Sequence, residues 1–194
     1  MALSYSNIAI EIREISLRDR PEELYKVSKK GTVPVLITSD NVVIDESLEI
    51  ILWALKDNKY QTWMSEKYNQ DMELITQNDT VFKKWLDKYK YHDRNPKNSK
   101  EYYREHCQQI LLKYEEELKA HTYLLRDYIS IADIAIFPFV RQFANVDYKW
   151  FEDNYTYLKK WLEDISSSNL FISVMYKYDT WDSSNQPQIV NFNN

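Results

Sequence analysis

Residues 31–50, GTVPVLITSDNVVIDESLEI, decide how this chain folds. The only glycine among 194 residues, Gly31, stands at the head of the stretch. Pro34 leads into the apolar run Val35-Leu36-Ile37. Ser39-Asp40-Asn41 is a polar turn, and Val42-Val43-Ile44 is a second apolar run. Asp45-Glu46-Ser47 then precedes Leu48, Ile51, Leu52 and Leu55, which recur at helical spacing. The stretch predicts two strands joined by a tight turn, then a helix with Asp45 as its cap.

Upstream, Ile8, Ile10 and Ile12 alternate with Ala9, Glu11 and Arg13, as in a half-buried strand running toward Ile15. Asp19-Arg20-Pro21-Glu22-Glu23 opens a short helix, with proline in its first turn and acids at its positive end. Downstream the pattern changes. Trp63, Tyr68, Met72, Ile75, Phe82, Trp85 and Tyr89 are spaced for a long helix over 63–91. His92-Asp93-Arg94-Asn95-Pro96 breaks it. Further helices are predicted over 99–119, 131–145, 155–165 and 169–178. The 131–145 helix is apolar enough to be buried, and Pro138 is a point where it would kink. The polar tail 179–194 reads as surface. The composition shifts near residues 57–62, with Asp57-Asn58-Lys59 as the linker. Residues 1–57 therefore form an α/β domain and residues 63–194 an all-helical one.

Composition excludes several classes. A net charge of −5 argues against a nucleic-acid partner. No apolar run approaches the roughly 20 residues of a membrane span. The start, Met1-Ala2-Leu3-Ser4-Tyr5, has no basic and apolar leader. One cysteine, Cys107, excludes an internal disulfide and fits a reducing, cytoplasmic setting. His92, His106 and His121 show no metal-ligand spacing.

Three short motifs carry information. Val33-Pro34 is either a rigid strand entry or a cis bond that turns the Val33 backbone outward to an extended peptide ligand. Glu46-Ser47 either caps a helix or holds a ligand's carboxylate and amine at the helix N-terminus. Ser130-Ile131-Ala132-Asp133 is a capping-box pattern, flanked by Ile129 and Ile134 as a hydrophobic staple, and reads as structural. Trp85, Tyr89, Tyr91 and Phe143 are placed either to line a pocket or to fill the helical core.

In this order and spacing, V-P-V-L, then E-S opening a helix, then S-x-A-D opening a buried helix, the chain resembles the cytosolic glutathione S-transferases. The resemblance covers essentially its whole length. FKKWLDKYKYHDRNP (82–96) and FPFVRQFANVDYKWF (137–151) are similar to a bacterial branch of the family. The resemblance implies a thioredoxin-like domain followed by a helical domain, usually as a homodimer, and a cis bond at Val33-Pro34. It implies glutathione as co-substrate, with Val33 ahead of Pro34 pairing to its cysteinyl part. Glu46 and Ser47 would take the γ-glutamyl end, and Arg20 the glycyl carboxylate. The second substrate would be a small hydrophobic electrophile or a disulfide.

The family's catalytic Cys, Ser or Tyr sits where its first strand meets its first helix. A strand and helix ahead of a parallel strand need about a dozen residues or more, and only Met1–Asn7 precede the Ile8–Ile15 strand. The expectation is an incomplete thioredoxin-like domain, truncated at its N-terminus and lacking its first strand, with no catalytic residue and no metal. Ser4, Tyr5 and Ser6 read as helix-end residues, and Cys107 as inert packing. Two functions stand: glutathione-dependent conjugation or thiol-disulfide exchange, or a non-catalytic binding or structural protein on the same fold.

Overall fold

The computed structural model describes residues 1–57, 62–64 and 66–192. In chain order it contains α1 (Ala2–Tyr5), β1 (Ile10–Ile12), α2 (Glu22–Val27), β2 (Leu36–Ile37), β3 (Val43–Ile44) and α3 (Ser47–Ala54). Then follow α4 (Tyr68–Gln77), a π-helical turn (Asn78–Phe82), α5 (Lys83–Lys90), a 3-10 turn (His92–Arg94) and α6 (Lys100–Ala120). Last come α7 (Ile131–Ala144), α8 (Tyr148–Asn154), α9 (Tyr157–Ser167), α10 (Asn169–Ser173) and β4 (Gln188–Val190). The chain divides into two compact units. One is Met1–Gln61 together with Asn169–Asn194, and the other is Thr62–Ser168. Of the linker read at residues 57–59, Asn58 and Lys59 lie outside the described residues.

The first unit is thioredoxin-like. Its β2–β3 hairpin pairs Leu36 with Ile44 and Ile37 with Val43. The turn between them is held by the Thr38 N–H on the Val42 carbonyl at 2.9 Å, with Asn41 at a φ of 60°. That left-handed position suits asparagine, whose short polar side chain tolerates it. α3 buries Ile50 and Ala54, and Leu55 just beyond it. It packs on α1, and the Ser6 hydroxyl donates to the Ala54 carbonyl at 2.7 Å. The strand expected over 8–15 is shorter, Ile10–Ile12, with a further bridge from Glu14 to Thr180.

The tail expected to lie on the surface does more than that. Gln188–Val190 pairs antiparallel with β1, matching Ile10 to Val190 and Ile12 to Gln188. Trp181 donates its N–H to the Glu14 carbonyl at 2.7 Å, and its ring lies under the Arg13 guanidinium at 5.1 Å. Polar composition hid this strand, because an edge strand is held by backbone groups that any residue carries.

The second unit is all-helical among its described residues. The helix expected over 63–91 begins at Tyr68 and widens to π geometry at Asn78–Phe82. There the Thr80 hydroxyl donates back to the Thr76 carbonyl at 2.7 Å, a side-chain bond that loosens a helix turn. α6 buries Tyr103, Cys107, Ile110, Leu111, Tyr114 and Leu118, the stripe its spacing predicts. α7 runs unbroken through Pro138. α8 carries no apolar periodicity long enough to be read from sequence. Phe143 stacks near Phe82, Tyr89 and Phe151 at centroid separations of 6.2, 5.1 and 6.3 Å. Burying each such ring contributes about 1.5–3 kcal/mol.

Candidate functional site

Gly31 turns the chain from α2 toward Val33. Its φ is +59°, and a Cβ there would stand 2.3 Å from Cε1 of Tyr25. Only glycine meets both conditions without strain. The Val33–Pro34 bond is cis. Val33 is 46% exposed, and its backbone N–H and C=O make no hydrogen bond among the described residues. It is therefore an edge able to pair with an extended ligand.

α3 starts one residue later than the sequence suggests. Its N-cap is Glu46, not Asp45, and no side chain caps its first turn. Glu46 and Ser47 are both exposed. The free N–H groups and the positive end of the helix dipole point to where an anion would sit. Asp45 instead braces the loop. Its Oδ2 accepts the Ser28 hydroxyl at 2.7 Å, and its Oδ1 accepts Lys30 Nζ at 3.0 Å. Lys30 Nζ also donates to Glu46 Oε1. The Ser28 hydrogen bond, then Lys30, holds the Asp45 carboxyl below its ordinary range, and Glu46, then Asp45, raises the Lys30 ammonium. The loop that carries Val33 and the helix that carries Ser47 are thus joined through Ser28, Lys30, Asp45 and Glu46. Lys30 was not foreseen; no spacing rule pairs residues 16 apart across a hairpin.

Arg20 lies in the loop ahead of α2, exposed, and no hydrogen bond or ion pair ties it to this cluster. Ser4 and Ser6 are buried, and their hydroxyls are engaged by Ser173 and Ala54. Cys107 is fully buried, and burial pushes its thiol up to about 12. Tyr89 and Phe143 are core residues with almost no exposed surface, whereas Tyr91 is 40% exposed. Among the described residues no group of three His, Cys, Asp or Glu could hold a metal ion. No described helix is long and apolar enough to cross a membrane.

In the helical unit, Ser130 and Asp133 do form the capping box. Asp133 also reaches further. Its Oδ1 accepts the Leu124 N–H at 2.9 Å and Trp161 Nε1 at 2.8 Å, and its Oδ2 accepts the Ser130 N–H at 2.8 Å. Beside it, Arg126 Nη2 lies 2.8 Å from both oxygens of Asp71. Desolvation outweighs the hydrogen bonds and raises the Asp133 carboxyl to about 6. Sequence reading found the box but not Asp71 and Arg126, which approach it only in three dimensions. This cluster is buried and holds helices together.

A unit with an exposed strand-entry backbone at Val33, followed in the chain by an all-helical unit, gives the order of domains of a thioredoxin-like fold joined to a helical one. The chain belongs to the glutathione S-transferase family: the family's N-terminal domain matches residues 1–61 and its C-terminal domain residues 72–169. Among solved structures it is similar to BphK, a bacterial glutathione S-transferase in a ternary complex. The identity there is 20% and the TM-score 0.73, over 89% of this chain and 88% of that one. It is also similar to the glutathione transferase URE2P6 from Phanerochaete chrysosporium, in complex with oxidized glutathione. Here the identity is 16% and the TM-score 0.77, over 89% and 86% of the two chains. A third is a glutathione transferase family member from Pseudomonas fluorescens Pf-5 with two glutathione bound, at 15% identity and a TM-score of 0.75, over 88% and 83%. At these identities the likeness is one of fold. No curated protein matches the sequence.

Proposed function

We propose that the first unit binds glutathione. The observation that carries the reading is the junction at Glu46-Ser47, where α3 begins with no side chain capping its first turn. The loop holding Val33 is tied to it by Lys30. Glutathione is an extended anionic tripeptide. Its cysteinyl backbone suits the exposed edge at Val33 beside Pro34, and its γ-glutamyl carboxylate suits the N–H groups at Ser47. Glu46 takes the ligand's amine, and Arg20 serves the glycyl carboxylate by swinging its exposed side chain. Two of the similar folds hold glutathione in their own structures, which supports this choice of ligand.

In the family the bound thiolate attacks a small hydrophobic electrophile, displacing its leaving group, or exchanges with a disulfide. Catalysis needs a hydroxyl or thiol that lowers the pKa of the glutathione sulfur or forms a mixed disulfide. A second reading, binding without turnover, is favoured by the hydroxyls of Ser4 and Ser6 being engaged in packing and by the protonated, buried Cys107. We further propose a cytoplasmic homodimer, which fits the single cysteine and the usual pairing of the family. Sedimentation showing a monomer at micromolar concentration removes the dimer.

Titration calorimetry with glutathione tests the reading. Binding that weakens in Glu46→Gln and Ser47→Ala is expected. Absence of binding at millimolar glutathione overturns it. Conjugation to a chlorinated nitroarene and a disulfide-reduction assay separate the two functions, since turnover above the uncatalysed rate excludes binding alone.

A further inference from the structure

We propose that Arg104, Tyr89 and Tyr155 hold a small monovalent anion, of the halide class, inside the helical unit. This is a site apart from the glutathione reading and does not rest on it. Tyr89 comes from α5, Arg104 from α6 and Tyr155 from the end of α8, all within Thr62–Ser168. The Arg104 guanidinium lies 4.2 Å from the centre of the Trp150 ring. Trp150 stands 6.0 Å from Tyr155 and 6.2 Å from Phe143, which is itself 5.1 Å from Tyr89. The two tyrosines are 0% and 1% exposed, yet neither hydroxyl has a hydrogen-bond partner, and Arg104 Nε is buried without one as well. Burial raises both phenols, and Arg104 draws each back toward its ordinary range, so the guanidinium is near both without meeting either in hydrogen-bond geometry. Buried polar groups are almost always paired, and three orphans gathered around one cation point to a ligand.

Chemistry selects the occupant. A guanidinium only donates, and each phenol has a proton to donate, so the three groups suit a ligand that accepts. Charge separates an anion from a water. Arg104 is half-buried and forms no ion pair among the described residues, and a cation partly out of water without a counter-charge is costly. Lys100, likewise unpaired, stands with Nζ 5.6 Å from the centre of the Tyr89 ring. The nearby acids are engaged elsewhere. Asp147 Oδ1 accepts the Trp150 N–H at 3.0 Å, Glu115 caps α9, and Glu101 is exposed in the first turn of α6. From Lys83 to Arg104 the chain carries eight Lys or Arg against three Asp or Glu, so the local field attracts an anion although the protein as a whole is acidic. With both hydroxyls closed off from solvent, the ion sheds most of its water, which favours a weakly hydrated monovalent ion over a divalent one.

The test is the melting temperature of the full chain in sodium bromide, with ionic strength held constant by sodium gluconate, whose anion is too bulky for the site. An ion that binds only the folded chain raises the melting temperature along a saturable curve. Such a curve is expected for the wild type and not for Arg104→Met. Tyr155→Phe keeps the cation and the packing but loses one donor, and is expected to raise the half-saturating bromide by about ten-fold, the worth of one hydrogen bond to a charged group. Bromide located in a crystal by its anomalous scattering should lie within hydrogen-bond reach of Arg104 and both phenols. A saturable curve retained in Arg104→Met, or an equal half-saturation in Tyr155→Phe, overturns the proposal. A water in place of bromide overturns it too, as does an ion seen in the crystal with no saturable effect in solution, which is binding at crystal concentration only. If Arg104→Met does not fold, Tyr155→Phe and the crystal decide.

Discussion

Arg126→Met removes the cation from a fully buried carboxylate. Asp71 is 0% exposed and Arg126 5%, with Nη2 2.8 Å from both carboxylate oxygens. Ser130 Oγ also stands 3.2 Å from Asp71 Oδ1 and 2.8 Å from Asp133 Oδ2, which joins the pair to the capping box. Methionine fills much of the arginine's volume, so the perturbation is one of charge and hydrogen bonding, not of a cavity. Breaking one side of a buried pair costs about 3–5 kcal/mol, a large share of the roughly 5–15 kcal/mol that hold a domain folded. At about 2–4 °C per kcal/mol for a chain of this size, the melting temperature should fall by about 6–20 °C. Urea unfolding followed by tryptophan fluorescence reads the loss, and Trp161, hydrogen-bonded to Asp133, reports from the network itself. In Asp71→Asn/Arg126→Met the buried carboxylate's charge is gone as well, so the double variant should be clearly more stable than the sum of the two single losses. A loss below about 1 kcal/mol for Arg126→Met, as for an exposed pair, refutes the reasoning. Additivity within about 0.5 kcal/mol does so too.

Three further outcomes are expected. Asp133 holds its proton more tightly folded than unfolded, since its carboxyl rises from 3.8 to about 6. Its contribution to stability is therefore complete below about pH 4 and lost as pH rises through about 6. Up to about 3 kcal/mol is involved, and urea midpoints across that range should flatten in Asp133→Asn. Glu115 of α6 accepts the N–H groups of Thr156, Tyr157 and Leu158 at 2.8, 3.0 and 2.6 Å, capping α9 from outside. Glu115→Ala should cost about 1–2 kcal/mol by chemical denaturation, and Glu115→Gln less. Cys107 should resist an aromatic disulfide reagent in the native protein and react at once in urea; rapid native labelling would contradict its burial.

What the sequence disclosed was whatever rests on local pattern. The β2–β3 hairpin, α3, the buried stripe of α6 and the capping box at Ser130 all follow from spacing and turn chemistry within a dozen residues. Val33, Pro34, Glu46 and Ser47 stood out because unusual residues gathered in one stretch. The pairing of Asp71 with Arg126, of Lys30 with Glu46 and of Glu115 with the start of α9 joins residues between 16 and 55 apart, and no periodicity encodes such distances. The cap at Asp45 was misplaced by one residue for a related reason. Its carboxylate was drawn to Ser28 and Lys30, which left Glu46 at the helix boundary.

The strand Gln188–Val190 pairs with a partner about 180 residues earlier. In the linear chain the helical unit, Thr62–Ser168, is therefore an insertion within the first unit. A ribosome releases the helical unit whole, able to close its own contacts at once. The first unit keeps β1 with an open edge until Gln188–Val190 emerges. Loop closure over so long a separation is slow, so the order of synthesis makes the helical half the early-folding partner. The half that carries the candidate site is completed after it.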